Sequence, residues 1–312
     1  MTNSLAASIT RSASQQTFYT IRFLVDRDRV DDAYRAYGYF RWVDDALDAE
    51  SNFALNEVEA QKRSAFIQRQ KSLLEKCYRS EPIQDATIEE QILIDLVQRD
   101  HEKNSGLQSY LRNMMLVMDF DAKRRGRLVS QLELNEYTHW LASAVTEAMH
   151  YFIGHCCFSP HDETRYLAVS AAHITHMLRD TFDDVQAGYY NIPREVLDAN
   201  HISPQDVQSK AYRAWVKSRV QLASDYFKAG RGYLARVQSP RCRFAGFAYT
   251  ARFEWLLDTI EREGYLLRPQ YSERKSLSTG LRMSWETLAS MMSVQAAGSL
   301  AQPVASRPLG KL

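Results

Sequence analysis

The stretch YFRWVDDALDAE (39–50) sets Asp44, Asp45 and Asp48 among Tyr39, Phe40, Trp42, Val43, Ala46 and Leu47. Taking an ionised carboxylate out of water costs on the order of several kcal/mol unless it is paired or holds a cation. The segment is therefore either a solvated helix with aromatics out of place, or a helix whose carboxylates hold something positive. Helical spacing puts Tyr37, Arg41, Asp44 and Asp48 on one face, with Asp45 beside it. A second stretch, HITHMLRDTFDD (173–184), repeats the pattern: His173, His176, Asp180 and Asp184 share a stripe flanked by Arg179 and Asp183.

Two such helices facing each other would make an acidic pocket with apolar walls. Clustered carboxylates are hard oxygen ligands suited to Mg²⁺, which keeps waters and binds alongside substrate phosphates. Neighbouring arginines complement phosphate oxygens. Carboxylates, Mg²⁺ and arginines together describe a diphosphate site, and the apolar surroundings imply a greasy substrate. Neutralising a diphosphate leaving group lets a C–O bond ionise to a carbocation, which aromatic faces stabilise and shield from water.

Spacing alone is weak, because chance supplies about one D-x-x-x-D in a chain of this size. Asp28 and Asp32 in DRDRVDD are such a match, and they read as solvated charge at a helix N-terminus. The other two pairs differ in their apolar context and adjacent arginines. The basic run KRRGR (123–127) reads as a solvated helix end or turn around Gly126.

The elements that must carry these residues are helical. The 312 residues are 45% hydrophobic and 25% charged with a net charge of +1, a globular balance without the basic excess of a nucleic-acid binder. Helical periodicity recurs near 15–24, 29–48, 56–78, 87–101, 104–123, 131–157, 161–187, 207–237, 242–266 and 283–293. The breaks fall at SEP (80–82), NIP (191–193), ISP (202–204) and two SP pairs. Residues 13–293 read as a single all-α domain packed around a central space, with 1–12 and 294–312 as disordered ends. The four cysteines read as reduced core residues of a cytosolic protein. No window of about 18 uncharged apolar residues predicts a membrane span.

In chain order, YGYFRWVDDALD, YTHWLASAVTEAM (137–149), MLRDTFDDVQAGYYNIPREVL and ARFEWLLDTIEREGYLLR (251–268) resemble four segments of the squalene/phytoene synthase family, the head-to-head trans-prenyl transferases. The resemblance spans residues 14–275. It implies an isoprenoid-synthase-type helical bundle that binds Mg²⁺ through Asp44, Asp48, Asp180 and Asp184. It also implies Arg41 on a diphosphate and Tyr37 and Tyr137 in the pocket. Leu141, Ala142, Val145 and Thr146 would line the prenyl channel, although small residues there also suit plain helix packing. Arg179, Asp183 and Arg268 match the second motif and the closing helix.

This chain departs from the family at several positions. His173 and His176 stand where amides are usual, Asn191 and Phe253 where tyrosines are, and Ser14 and Gln16 where basic groups or imidazoles would help hold diphosphate. The metal set is complete while the surrounding donors are thinned. Three readings follow. The first is an Mg²⁺-dependent transferase joining two prenyl diphosphates, the second a terpene cyclase using one, and the third a non-catalytic assembly protein. The intact aspartates argue against the third. NADPH would enter only if the product is reduced, and no Gly-rich dinucleotide loop is present. A lipophilic product would draw a cytoplasmic protein towards a membrane surface.

Overall fold

The computed structural model describes residues 2–49, 57–272, 285 and 287–292. Among the described residues there are twelve α-helices, one 3-10 turn (Arg27–Arg29) and no strand. The helices are α1 (Thr2–Ala13), α2 (Gln15–Leu24), α3 (Val30–Ala49), α4 (Glu57–Tyr78), α5 (Ile88–Gln98) and α6 (Gly106–Arg124), followed by α7 (Gln131–Phe152), α8 (Leu167–Arg179), α9 (Thr181–Ala187), α10 (Arg194–Asn200), α11 (Lys210–Arg236) and α12 (Pro240–Arg262).

Local sequence sets half of the helix starts. Ser14, Ser105, Ser209 and Ser239 accept a backbone N–H of the first turn. Thr87 with Glu90 and Ser130 with Glu133 form capping boxes. Apolar faces then pack into two cores. The first joins Tyr39, Phe40 and Val43 of α3 to Leu93 and Leu96 of α5, Leu111 of α6 and Tyr137 of α7. The second joins Ile174 and Leu178 of α8 to Val216, Val220 and Phe227 of α11 and Leu256 and Ile260 of α12. Helix α7 stands between them, packed on α6 and on α8.

Four expectations differ from what forms. Of residues 1–12, read as a disordered end, 2–12 lie in α1. Its Ala6 and Thr10 are fully buried because Gly38 of α3 lets the backbones meet: a Cβ there would lie 3.0 Å from the Ala6 carbonyl oxygen. Small residues pack well but give little hydrophobic signal. The helix read over 161–187 begins at Leu167 and breaks at Asp180, where the Thr181 hydroxyl turns back to the carbonyls of Met177 (2.9 Å) and Leu178 (3.1 Å). The helix read to 157 stops at Phe152, ahead of Gly154 at φ +74°. Of the cysteines, only Cys242 is buried; Cys156 and Cys157 are exposed on that Gly154 turn. Residues 294–312 lie outside the described residues, as do 283, 284, 286 and 293 of the helix read over 283–293, whose residues 285 and 287–292 are helical.

Candidate active site

The first aspartate stretch occupies the unbroken second half of α3. Arg41 donates to Asp44 (3.2 Å) and to Asp45, while its Nε is buried without a partner among the described residues. The Asp44 carboxyl is pushed up to about 6, first by burial and then by repulsion from Asp48, against the pull of Arg41. Asp48 is raised too, mainly by burial, with Arg41 and Arg125 opposing. Tyr37, one turn earlier, is half-buried against the first core.

The second stretch is built on the break between α8 and α9. The Arg179 guanidinium forks onto Asp180, Nε to Oδ1 at 2.5 Å and Nη2 to Oδ2 at 2.6 Å. Asp184, half-buried one turn on, is pushed up to about 7 by burial and by Asp180, against the pull of Arg124. Asn191 Nδ2 donates to its Oδ2 at 2.6 Å. Asp183 points into solvent. Gly188, at φ +84°, ends α9 and accepts through its carbonyl from the Gly126 N–H (2.7 Å), while Arg125 Nε donates to the Ala187 carbonyl (3.0 Å). These bonds tie the end of α6 to the end of α9.

What joins the two stretches is a pair that the sequence reading passed over. Arg124, in the run read as solvated, is 6% exposed. It donates to Asp121 (2.7 Å) and to Asn191 Oδ1 (2.8 Å), and its guanidinium lies 4.9 Å from the Tyr137 ring and 5.0 Å from the Tyr189 ring. The Tyr137 hydroxyl donates to the other Asp121 oxygen at 3.0 Å. Asp121 repels Asp44, Asp48 and Asp184 alike, so both stretches share one electrostatic neighbourhood. The available signal was an i,i+3 acid–base pair on a helix otherwise rich in Met, Leu and Phe.

These groups fit a hard divalent cation. Every donor is a carboxylate oxygen, and at Asp44 and Asp184 the pull of Arg41 and Arg124 only partly offsets burial and the repulsion of neighbouring carboxylates. Among the described residues no three His, Cys, Asp or Glu side chains are gathered tightly enough to cage a metal alone. Carboxylates of this kind would suit Mg²⁺ held by one or two of them per ion, with waters and phosphate oxygens completing the shell.

The residues expected to line a channel all lie on α7. Ala142 and Thr146 are buried, Leu141 and Val145 half-buried, and the Thr146 hydroxyl has no partner among the described residues. The two histidines lie one turn apart on α8 but differ in burial. His173 is buried edge-on to Tyr137 (4.8 Å between ring centroids) with Nε2 unpartnered, and burial chiefly, then His176 and Arg124, push it down to about 3. His176 is exposed, beside Arg179 and 6.2 Å from the Phe253 ring. Phe253 packs in the second core. Ser14 caps α2, and Gln16 accepts from Arg252 (3.0 Å). Arg268 lies beyond α12, paired with Glu263 (3.0 Å) and stacked on Tyr271 (4.7 Å to the centroid).

The profile of the squalene/phytoene synthase family matches residues 11–280. No curated protein matches the chain. Solved structures share its fold, among them the following two. One is squalene synthase HpnC from Alicyclobacillus acidocaldarius, 18% identical over 86% of this chain and 95% of that one, with a TM-score of 0.64. The other is a dehydrosqualene synthase in complex with ligand, 14% identical over 96% and 97% of the two chains, with a TM-score of 0.63. At these identities the structural likeness carries the fold, while the profile, covering most of the chain, carries the family: this protein belongs to the squalene/phytoene synthases.

Proposed function

We propose that the protein is an Mg²⁺-dependent transferase that joins two prenyl diphosphates head to head. The observation that carries this reading is the pair Asp44 and Asp184. They stand on different elements, both are raised towards neutrality, and both are repelled by the same Asp121. Such a cluster is costly to keep unless a cation completes it.

Asp44, Asp48, Asp180 and Asp184 would hold the metal, which when bound neutralises the diphosphate and makes it a better leaving group. Arg41 has a free Nε to offer a phosphate oxygen and can exchange Asp45 for a second one, a fork that lysine lacks. Arg124 holds Asp121 and Asn191 in place and keeps the rings of Tyr137 and Tyr189 stacked at the site. A ring face turned away from Arg124 would stabilise positive charge developing on the prenyl carbon. His173, neutral and with Nε2 unpartnered among the described residues, would take a proton as the reaction ends, because a carbocation is acidic enough to yield one even to an imidazole weakened by burial.

One observation favours a single-substrate cyclase as a second reading. Asn191 is spent on Arg124 and Asp184, and Phe253 is packed in the core, so neither offers a donor to a second diphosphate. The deciding experiment incubates purified protein with Mg²⁺ and prenyl diphosphates of three chain lengths and identifies products by mass spectrometry. The first reading expects a product with twice the carbon number of the substrate. A cyclised product of unchanged carbon number establishes the second, and no diphosphate release from any substrate overturns both.

A further inference from the structure

The chain balances 39 Lys and Arg against 38 Asp and Glu, but not evenly over its surface. Residues 2–25 contain no carboxylate and two arginines, Arg11 and Arg22. Residues 240–253 contain no carboxylate and three arginines, Arg241, Arg243 and Arg252. The fold sets these two segments side by side. Arg241 donates to the Leu24 carbonyl (3.2 Å) at one end, and Arg252 donates to Gln16 (3.0 Å) at the other. Helices α2 and α12 therefore run antiparallel, with most of their arginines near the ends of the shared face.

Between those ends the face is aromatic. On α2, Gln15, Tyr19, Arg22 and Phe23 form one exposed stripe at i, i+4, i+7 and i+8. Tyr19 is 49% and Phe23 68% exposed, and their rings stack nearly parallel with centroids 6.1 Å apart. On α12, Arg241, Phe244, Ala248 and Arg252 form a second stripe at i, i+3, i+7 and i+11, with Phe244 37% exposed. Holding two stacked aromatics in water gains nothing for folding. One nearby carboxylate, Asp26, is already engaged by Arg241 and by the backbone N–H groups of Gly154 and His155.

We propose that the α2–α12 face docks on an anionic phospholipid surface. Exposed rings with arginines around them match the interface of a bilayer, where rings enter the acyl boundary and guanidinium groups stay at the headgroups. Each arginine near an anionic leaflet strengthens binding roughly fivefold. A second copy of the chain fits poorly, because two-fold pairing of this face would set arginines against arginines. No helix among the described residues is long and apolar enough to cross a membrane, so the contact is peripheral. The strip ends beside the second aspartate stretch, since Arg252 lies in the field of Arg179 and Phe253 faces His176. That placement would hand a hydrocarbon product directly to lipid, a clause that rests on the prenyl-transfer reading.

The test is vesicle flotation without substrate, so its outcome is independent of that reading. The full chain is mixed with vesicles of phosphatidylcholine alone or of equal phosphatidylcholine and phosphatidylglycerol. Controls are the far-UV circular dichroism of each variant and Leu132→Ser, which removes an equally exposed apolar side chain (68%) elsewhere. We expect flotation with the anionic vesicles only, weakened by salt, lowered about tenfold by Arg22→Glu, lowered also by Phe23→Ser, and unchanged in Leu132→Ser. Arg22→Glu and Phe23→Ser test the face independently if one of them misfolds. Failure of the wild type to float with anionic vesicles overturns the proposal. So does binding that survives both variants, or a change of oligomeric state in them without vesicle binding.

Discussion

Two buried arginine–carboxylate assemblies sit on α7 about 15 Å apart along the helix, and they are completed in opposite ways. At Glu147 the carboxylate accepts two bonds from Arg165 (2.7 and 2.9 Å) and one from Tyr166 (2.9 Å). Arg165 also donates to Ser159, the Pro160 carbonyl and Tyr233, whose hydroxyl meets His150 at 2.7 Å. Burial pushes Glu147 up, but the bonds from Arg165 outweigh it and hold the carboxyl below its ordinary range. At Tyr137 the assembly is open. Asp121 and Arg124 satisfy each other, yet Asp44 and Asp184 around them stand near 6 and 7. A closed network fixes the fold. An open one stores a charge that only a ligand can meet.

The sharpest way to break this contrast is to remove one member from each assembly. Arg165→Met strands Glu147 as a buried charge and should cost about 3–5 kcal/mol in urea unfolding. Asp184→Asn should leave stability at pH 7 equal or higher, while lowering turnover of a prenyl diphosphate by about a hundredfold or more. Comparable destabilisation by both variants would erase the distinction between the assemblies.

Unfolding across pH sharpens it further, because the two carboxyls act with opposite sign. The folded value of Asp184 lies above the ordinary 3.8, so the native state keeps a proton that the unfolded chain has lost. Its cost to stability grows as pH rises from about 4 and is complete above about 7. Asp184→Asn should therefore gain on the wild type over that window. The folded value of Glu147 lies below 4.5, so its contribution is present at neutral pH and is lost on acidification through the folded value. Glu147→Gln should lose most relative to the wild type at neutral pH. Parallel pH profiles for the two variants would contradict the assignment.

Smaller effects are expected within the open site. Arg41→Lys keeps the charge but not the fork, and should raise KM several-fold with the fold intact. Unchanged kinetics would leave Arg41 as the partner of Asp44 and Asp45 alone. His173→Gln should alter the product profile more than total diphosphate release, whereas exposed His176→Asn should alter the profile less. Identical profiles at full turnover would make His173 an ordinary core residue.

Most of the fold was legible because long helices with apolar stripes advertise their period, and both aspartate stretches could be found from their context. Other features depend on neighbours distant in sequence. Ala6 and Thr10 are buried only because Gly38 lets α1 approach α3. The break at Asp180 lies inside a run whose period continues through it, so the helix read over 161–187 hid it. His173 and His176 both precede the break, and what separates them is burial against Tyr137 for one and exposure for the other. Arg124 looked like surface charge because α9, whose end ties to the turn at Gly126, comes back over it from more than 50 residues later.

The most direct test of the open site is thermal unfolding of the wild type and Asp184→Asn with Mg²⁺, with inorganic diphosphate, and with both. The wild type should gain stability only when both are present, since each supplies charge that the other needs, and Asp184→Asn should lose that gain. Equal stabilisation of the variant, or none of the wild type, would contradict a site built to hold a cation and a diphosphate together.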